Sequence, residues 1–241
     1  MMKRAASAAF AALVMSIPAL AVNEGTAVGV QPEASSRLGN TERTLFVGSD
    51  VSVGETIATG PSGHVQLLFD DQTRIVVGPR SSLVIETYLL NGTAADRFAV
   101  NALAGTFRFI SGTSPKPVYS IDTPTASIAV RGTEFDLTVG GGQNFVLLFE
   151  GALTLCQGDI CVDLERRCDL GVVGGDDTGI YTWIDERRQD FVGRFPLPNI
   201  QSAFLRPFRV QGAQACLLPP PQQPSDTLIP SEPGQPAQRK R

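Results

Sequence analysis

The sequence predicts an all-β protein built from similar stacked strand–turn units, as a β-roll or β-solenoid is, with a β-sandwich as the alternative. Three observations carry this. Turn signals recur about every 7 to 13 residues from about Thr44 to Asp163. The runs between them are rich in Val, Ile, Leu, Phe and Thr, which suit a pleated, half-buried surface. No long 3.6-residue period occurs in this stretch, which excludes a helical domain there.

Taken in order, the chain opens with Lys3 and Arg4, then an uncharged apolar run from Ala5 to Ile17, Pro18, and a small-x-small pattern at Ala19-Leu20-Ala21. This is the layout of a secretory signal peptide (1–21), cleaved after Ala21. The run is too short to span a bilayer, which needs about 20 apolar residues, and no later segment is apolar enough. The expected mature chain is therefore exported, periplasmic or secreted, with no transmembrane segment.

A β-domain (22–168) follows. Its turns include Gly60-Pro61-Ser62-Gly63, Asp70-Asp71-Gln72, Asn91-Gly92, Thr123-Pro124, Arg131-Gly132 and Gly158-Asp159. In Phe135-Asp136-Leu137-Thr138-Val139 apolar and polar residues alternate, so one face is buried and the other solvated. Phe145-Val146-Leu147-Leu148-Phe149 is apolar throughout and implies burial on both faces. A weak echo links Ile57-Ala-Thr59 and Val65-Gln-Leu67 to Ile121-Asp-Thr123 and Ile128-Ala-Val130, suiting a stacked architecture.

All four cysteines, Cys156, Cys161, Cys168 and Cys216, come late. Export and an even count favour disulfides. In LTLCQGDICVDL, a two-residue turn at Gly158-Asp159 sets Cys156 opposite Cys161. That is a non-hydrogen-bonded site, where Cα atoms approach to about 4.5 Å. Cys156–Cys161 is the preferred bridge and Cys168–Cys216 follows by elimination; the other two connectivities remain open. A four-thiolate zinc site does not fit, because neither half is Cys-x-x-Cys.

The extension (169–216) is tethered by Cys216. Within it Asn199 is placed to cap a short helix carrying Ile200, Ala203 and Phe204 on one face. Phe191, Phe195, Phe204 and Phe208 read as anchors that clamp the segment to the β-domain. The tail (217–241) is Pro-rich and cannot repay the cost of ordering, so it is expected to be disordered.

The net charge of −4 excludes an electrostatic nucleic-acid footprint, since Arg239-Lys240-Arg241 is the only basic cluster. No cofactor motif occurs. Gly140-Gly141-Gly142 lacks a phosphate-loop Lys and is a turn. The single histidine, His64, has no triad context and is read as a surface turn residue. Asp70-Asp71 and Asp176-Asp177 are read as turn and loop acids rather than calcium ligands. Asn91-Gly92-Thr93 reads as a hairpin turn. Glu134 and Asp136 are assigned to a solvated face. Arg131, after a strand and beside Gly132, is expected to hold a buried carboxylate or carbonyl, with Gly132 at positive φ.

The block GETIATGPSGHVQLLFDDQTRIVVGPRSSLVIETY, then FAVNALAGTFRFISG, then YSIDTPTASIAVRGTEFDL, resembles the FecR domain of the bacterial cell envelope. The carrying residues are Thr59 to Leu67, Asp71 to Pro79, and above all Thr123 to Phe135, with Thr123, Pro124, Arg131, Gly132, Thr133 and Phe135 forming its motif turns. The likeness runs over about residues 43–155. It implies a β-roll or solenoid-like domain working outside the cytoplasm. The best-known members are transmembrane sigma-factor regulators, whose helical cytoplasmic segment and membrane helix find no counterpart here. The expectation is a non-enzymatic binding or structural module without a cofactor. Its partner would be an envelope protein or cell-wall polymer. A solenoid-type polysaccharide hydrolase or lyase is the alternative.

Overall fold

The computed structural model describes residues 24–114 and 118–219; the expected signal peptide and nearly all of the Pro-rich tail lie outside the described residues. Four N-terminal strands are β1 (Gly25–Gln31), β2 (Ala34–Leu38), β3 (Thr41–Thr44) and β4 (Ser49–Val51). β5 (Thr56–Thr59), β6 (His64–Phe69), β7 (Arg74–Val77), β8 (Ser82–Asn91) and the long β9 (Ala94–Ile110) follow. Then come β10 (Tyr119–Asp122), β11 (Ser127–Val130), β12 (Glu134–Gly140), β13 (Gln143–Glu150), β14 (Leu153–Gln157), β15 (Ile160–Leu164), β16 (Leu170–Val173) and β17 (Gly179–Tyr181).

The strands form two ladders that share β9. The first runs β4-β1-β6-β7-β9-β12-β13-β16-β17. The second runs β3-β2-β5-β8-β9-β10-β11-β14-β15. Every pair is antiparallel except β9–β10. Residues 94–104 of β9 pair with β8 in the second ladder, and residues 105–110 pair with β12 in the first. Gly105 lies where β9 changes ladder. It has φ +104°, and a Cβ there would come within 2.5 Å of the Ser81 backbone, so only glycine lets the strand turn this corner beside its neighbour.

The inner faces of both ladders share one core. Phe98 stands at its centre, with ring centroids of Phe69 at 4.9 Å and Tyr88 at 5.4 Å. Ile57, Leu83, Ile121, Ile128 and Leu155 of the second ladder meet Val65, Leu67, Ile75, Phe109 and Phe135 of the first. The apolar run in β13 is buried on both faces. Val146 and Leu148 belong to this core, while Phe145, Leu147 and Phe149 point outward into a second one.

That second core exists because the segment after β17 lies over the outer face of the first ladder. It comprises α1 (Gln189–Val192), α2 (Leu197–Ile200) and short 3₁₀ turns. Phe191 and Phe195 pack on Phe145, Leu147 and Leu170, and Leu197, Phe204 and Phe208 pack on Val76. All four expected phenylalanine anchors are thus buried. The helix start differs from expectation. Pro196 is the residue before α2 and Asn199 lies inside it, exposed; Pro196 is already helical in conformation and Pro198 stands in the first turn, where its preset φ suits a helix and its missing N–H costs nothing. Ala203 is exposed as well.

The β14–β15 register pairs Cys156 with Cys161 and Gln157 with Ile160, as the turn chemistry predicts. Both disulfides are present, Cys156–Cys161 with Cα atoms 4.1 Å apart and Cys168–Cys216 at 5.1 Å. The echo between residues 57–67 and 121–130 is not a structural repeat. The first copy crosses from the second ladder (β5) to the first (β6), whereas the second copy is a hairpin within the second ladder. Similar composition was enough for both, since each strand needs only one buried face.

Candidate functional site

The motif residues lie at and around two turns. The Thr123 Oγ1 accepts the Ala126 N–H at 2.8 Å and donates to the Ala126 carbonyl at 3.1 Å, closing the β10–β11 turn with Pro124 exposed. Thr133 and Phe135 are buried. Gly132 has φ +67° as expected. Arg131 departs from expectation: its side chain is exposed, and the turn is held by its backbone N–H donating to the Ala152 carbonyl at 3.0 Å. A Gly132→Val variant forces a β-branched residue into the left-handed region. It should lose at least about 1–2 kcal/mol of stability, read as a lower urea midpoint with an unchanged slope.

Three polar residues are buried, one turn acid and two residues assigned to solvent. Asp71, in the β6–β7 turn, accepts hydrogen bonds from Thr73 N–H (3.0 Å), Thr73 Oγ1 (2.9 Å), Ser114 Oγ (2.8 Å) and the Tyr119 hydroxyl (2.9 Å). Its own N–H donates to the Tyr88 hydroxyl at 2.9 Å. Burial pushes both tyrosine hydroxyls upward in pKa. Every donor to the carboxylate is neutral, and the network pins residues 112–114 to the hairpin. The Asp70-Asp71-Gln72 turn was legible; the tyrosines arriving from β8 and β10 were not.

Asp136 is the second. It lies on the outer face of β12, and the extension covers that face. Arg108 of β9 makes a bidentate pair with it, Nε to Oδ1 at 2.7 Å and Nη2 to Oδ2 at 2.9 Å. The guanidinium also donates to Gln201 Oε1 at 2.8 Å and lies 5.4 Å from the Phe149 ring centroid. Burial pushes the Asp136 carboxyl up, against the pull of Arg108. Glu134, two residues away and half-buried, is also raised, by burial and by Glu150.

His64 is the third. It opens β6, is buried, and meets the Phe204 ring edge-on at 5.0 Å. The extension, which sequence alone could not place there, supplies that ring. Burial lowers its pKa. The unfolded chain therefore binds the proton first as pH falls, and stability held above the ordinary histidine value is lost on acidification. The melting temperature of the wild type should fall further between pH 7.5 and 5.5 than that of His64→Gln, measured by scanning calorimetry.

Asp176 is exposed, and Asp177 pairs with Arg187. Gly140-Gly141-Gly142 forms the exposed β12–β13 turn and Asn91-Gly92 the β8–β9 turn. Among the described residues no cluster of His, Cys, Asp and Glu could hold a metal ion. No described helix is long and apolar enough to cross a membrane.

A cleft of about 570 Å³ opens at one end of the second ladder. Its walls are the β1–β2 turn (Pro32, Glu33), the start of β2 (Ala34, Ser35), the β3–β4 loop (Leu45, Phe46, Val47) and the end of β5 (Ala58, Thr59). Leu45 is anchored in the core, and its N–H donates to the Ala34 carbonyl at 3.0 Å. This anchoring turns the next two residues outward. Phe46 is 67% and Val47 68% exposed. Glu33 is the one carboxylate in the lining. No sequence signal marked these residues, because Leu45-Phe46-Val47 reads as an ordinary strand.

Residues 55–154 match the family model described as FecR protein. No curated protein matches the chain. Two crystal structures of a proposed anti-sigma factor from Parabacteroides distasonis ATCC 8503 overlap it, at 16% identity with a TM-score of 0.43 and at 17% with 0.41. Each alignment covers 52% of this chain and 57% of the other, so the shared part spans little more than half of either. Most of the cleft lining precedes the family match.

Proposed function

We propose that the chain, which carries a FecR domain at residues 55–154, works outside the cytoplasm as a non-catalytic binding module, and that the cleft beside Phe46 and Val47 is its binding element. The exposed apolar pair supports this most directly. A soluble protein seldom leaves adjacent large apolar side chains this open beside a concavity unless something covers them. Two disulfides and no free cysteine among the described residues suit an oxidising compartment. The polysaccharide hydrolase alternative lacks support, since glycoside cleavage needs two facing carboxylates and the cleft offers Glu33 alone. In this reading the double ladder is a β-roll. Its hairpins are laid on two layers joined through β9, in place of the parallel coils of a solenoid.

The test expresses the full chain in a Gram-negative host and adds an apolar fluorescent dye, anilinonaphthalene sulfonate, to the purified product. The expected result is a periplasmic protein beginning at Val22, without free thiols, whose dye binding is lost in Ala58→Trp. Cytosolic retention with four alkylatable thiols overturns export. Undiminished dye binding in the folded variant overturns the cleft.

A further inference from the structure

The cleft adjoins an open sheet edge. β3 is the outermost strand of the second ladder, with β2 its ladder partner. The hairpin loop Gly39-Asn40 makes Leu38–Thr41 the closing, hydrogen-bonded pair, and pairs then alternate along the ladder. The Leu45 N–H bond to Ala34 fits the same alternation. Glu42 and Thr44 are therefore the residues whose N–H and C=O point away from β2, onto the open edge. Thr44 also lines the cleft, so a strand laid along β3 would run directly into it. The other edges differ. β4 and β17 have three residues each, and β15 lies against β16 and β17.

A second copy of this chain is a poor occupant. Two identical antiparallel strands related by a dyad must place residues of one face opposite residues of the same face, so the pairing centres on a residue. The fullest overlaps then centre on Glu42, which meets its own like charge, or on Arg43, which sets side by side two guanidiniums that Glu55 holds in place at 3.0 Å. A foreign strand escapes this. On the outer face a Lys or Arg can stand opposite Glu42, and a residue two or four positions along reaches the cleft.

We propose that the open edge of β3 takes an extended polypeptide segment as an added antiparallel strand, with a basic residue opposite Glu42 and an apolar residue two or four positions away seated in the cleft against Phe46. The backbone groups of Glu42 and Thr44 hold the strand, and the cleft selects its side chain. This rests on the cleft being the binding element.

The experiment pans a library of linear display peptides against the folded full chain and resynthesises the best binders. The expected binders carry the basic and apolar pair at that spacing. N-methylation of alternate backbone amides facing β3 weakens them at least tenfold, whereas methylation of the intervening amides does not. Ala58→Trp also weakens them at least tenfold, with Phe46→Ser as the variant to use where the tryptophan perturbs folding. Failure to enrich any binder, or binders indifferent to both methylation sets, overturns strand addition. The cleft reading survives either outcome if dye binding is still lost in Ala58→Trp. Binders and dye that both tolerate the filled cleft overturn the two together.

Discussion

Asp136→Ala should destabilise the protein by about 3–5 kcal/mol, the cost of leaving a buried ion without its partner. Arg108 is wholly buried. Without Asp136 its guanidinium keeps Gln201 Oε1 at 2.8 Å, the Phe208 carbonyl at 3.4 Å and the faces of Phe149 and Phe204. Those are dipoles and rings; none carries a full negative charge. The half-buried Glu134 carboxylate also attracts Arg108, but with only dipoles and rings in direct contact the lost hydration of a cation is not repaid. The pair is not thereby a net stabiliser, since both charges were desolvated to form it. Arg108→Met with Asp136→Leu should recover most of the loss or exceed the wild type. Urea unfolding of the three proteins gives the comparison. A near-neutral Asp136→Ala would mean that water reaches this site and that the extension does not cover it as described. The pairing also orients Arg108 toward Gln201, whose Oε1 accepts the Val210 N–H at 3.0 Å. Loss of Asp136 should therefore loosen residues 201–210 before it loosens the ladders.

Replacing Cys168 and Cys216 together by serine should cost about 4 kcal/mol, the loop-closure value for the 48-residue separation they span. The corresponding change at Cys156 and Cys161, five residues apart, should cost about 2 kcal/mol. The two bridges also differ in place. Cys156–Cys161 staples one hairpin. Cys168–Cys216 ties the end of the extension to the strand region it covers. Arg188 reinforces this closure, donating to the Cys168 carbonyl at 2.6 Å and to the Cys216 carbonyl at 2.7 Å. With the bridge gone, trypsin should cut at Arg194 or Arg209 well before the ladders open (Arg206 is shielded by Pro207), and mass spectrometry of timed digests reads the order. Equal protection of the extension in wild type and variant would show that Phe195, Phe204 and Phe208 hold it without the bridge.

Local chemistry alone settled a good deal of this molecule. β-formers between closely spaced turns specify strands wherever they sit, because each needs only a pleat and one apolar face. Gly158-Asp159 specified its hairpin, and the hairpin specified the partner of Cys156. Gly132 required positive φ, and the unbroken run Phe145–Phe149 announced a strand covered on both sides.

Tertiary structure decided which faces are wet. Alternation in β12 shows that Asp136 and Phe135 point opposite ways, but not that residues 189–210 return to bury the polar side. The ligands of Arg108 lie 28 and 93 positions away, and nothing in a period of two reaches that far. Asp71 read as a turn and His64 as a surface residue for the same reason: the tyrosines and the phenylalanine that enclose them come from distant strands and from the extension. The open edge of β3 is likewise a property of ladder order. Thr41–Thr44 resembles any short strand until the sheet leaves it with a neighbour on one side only.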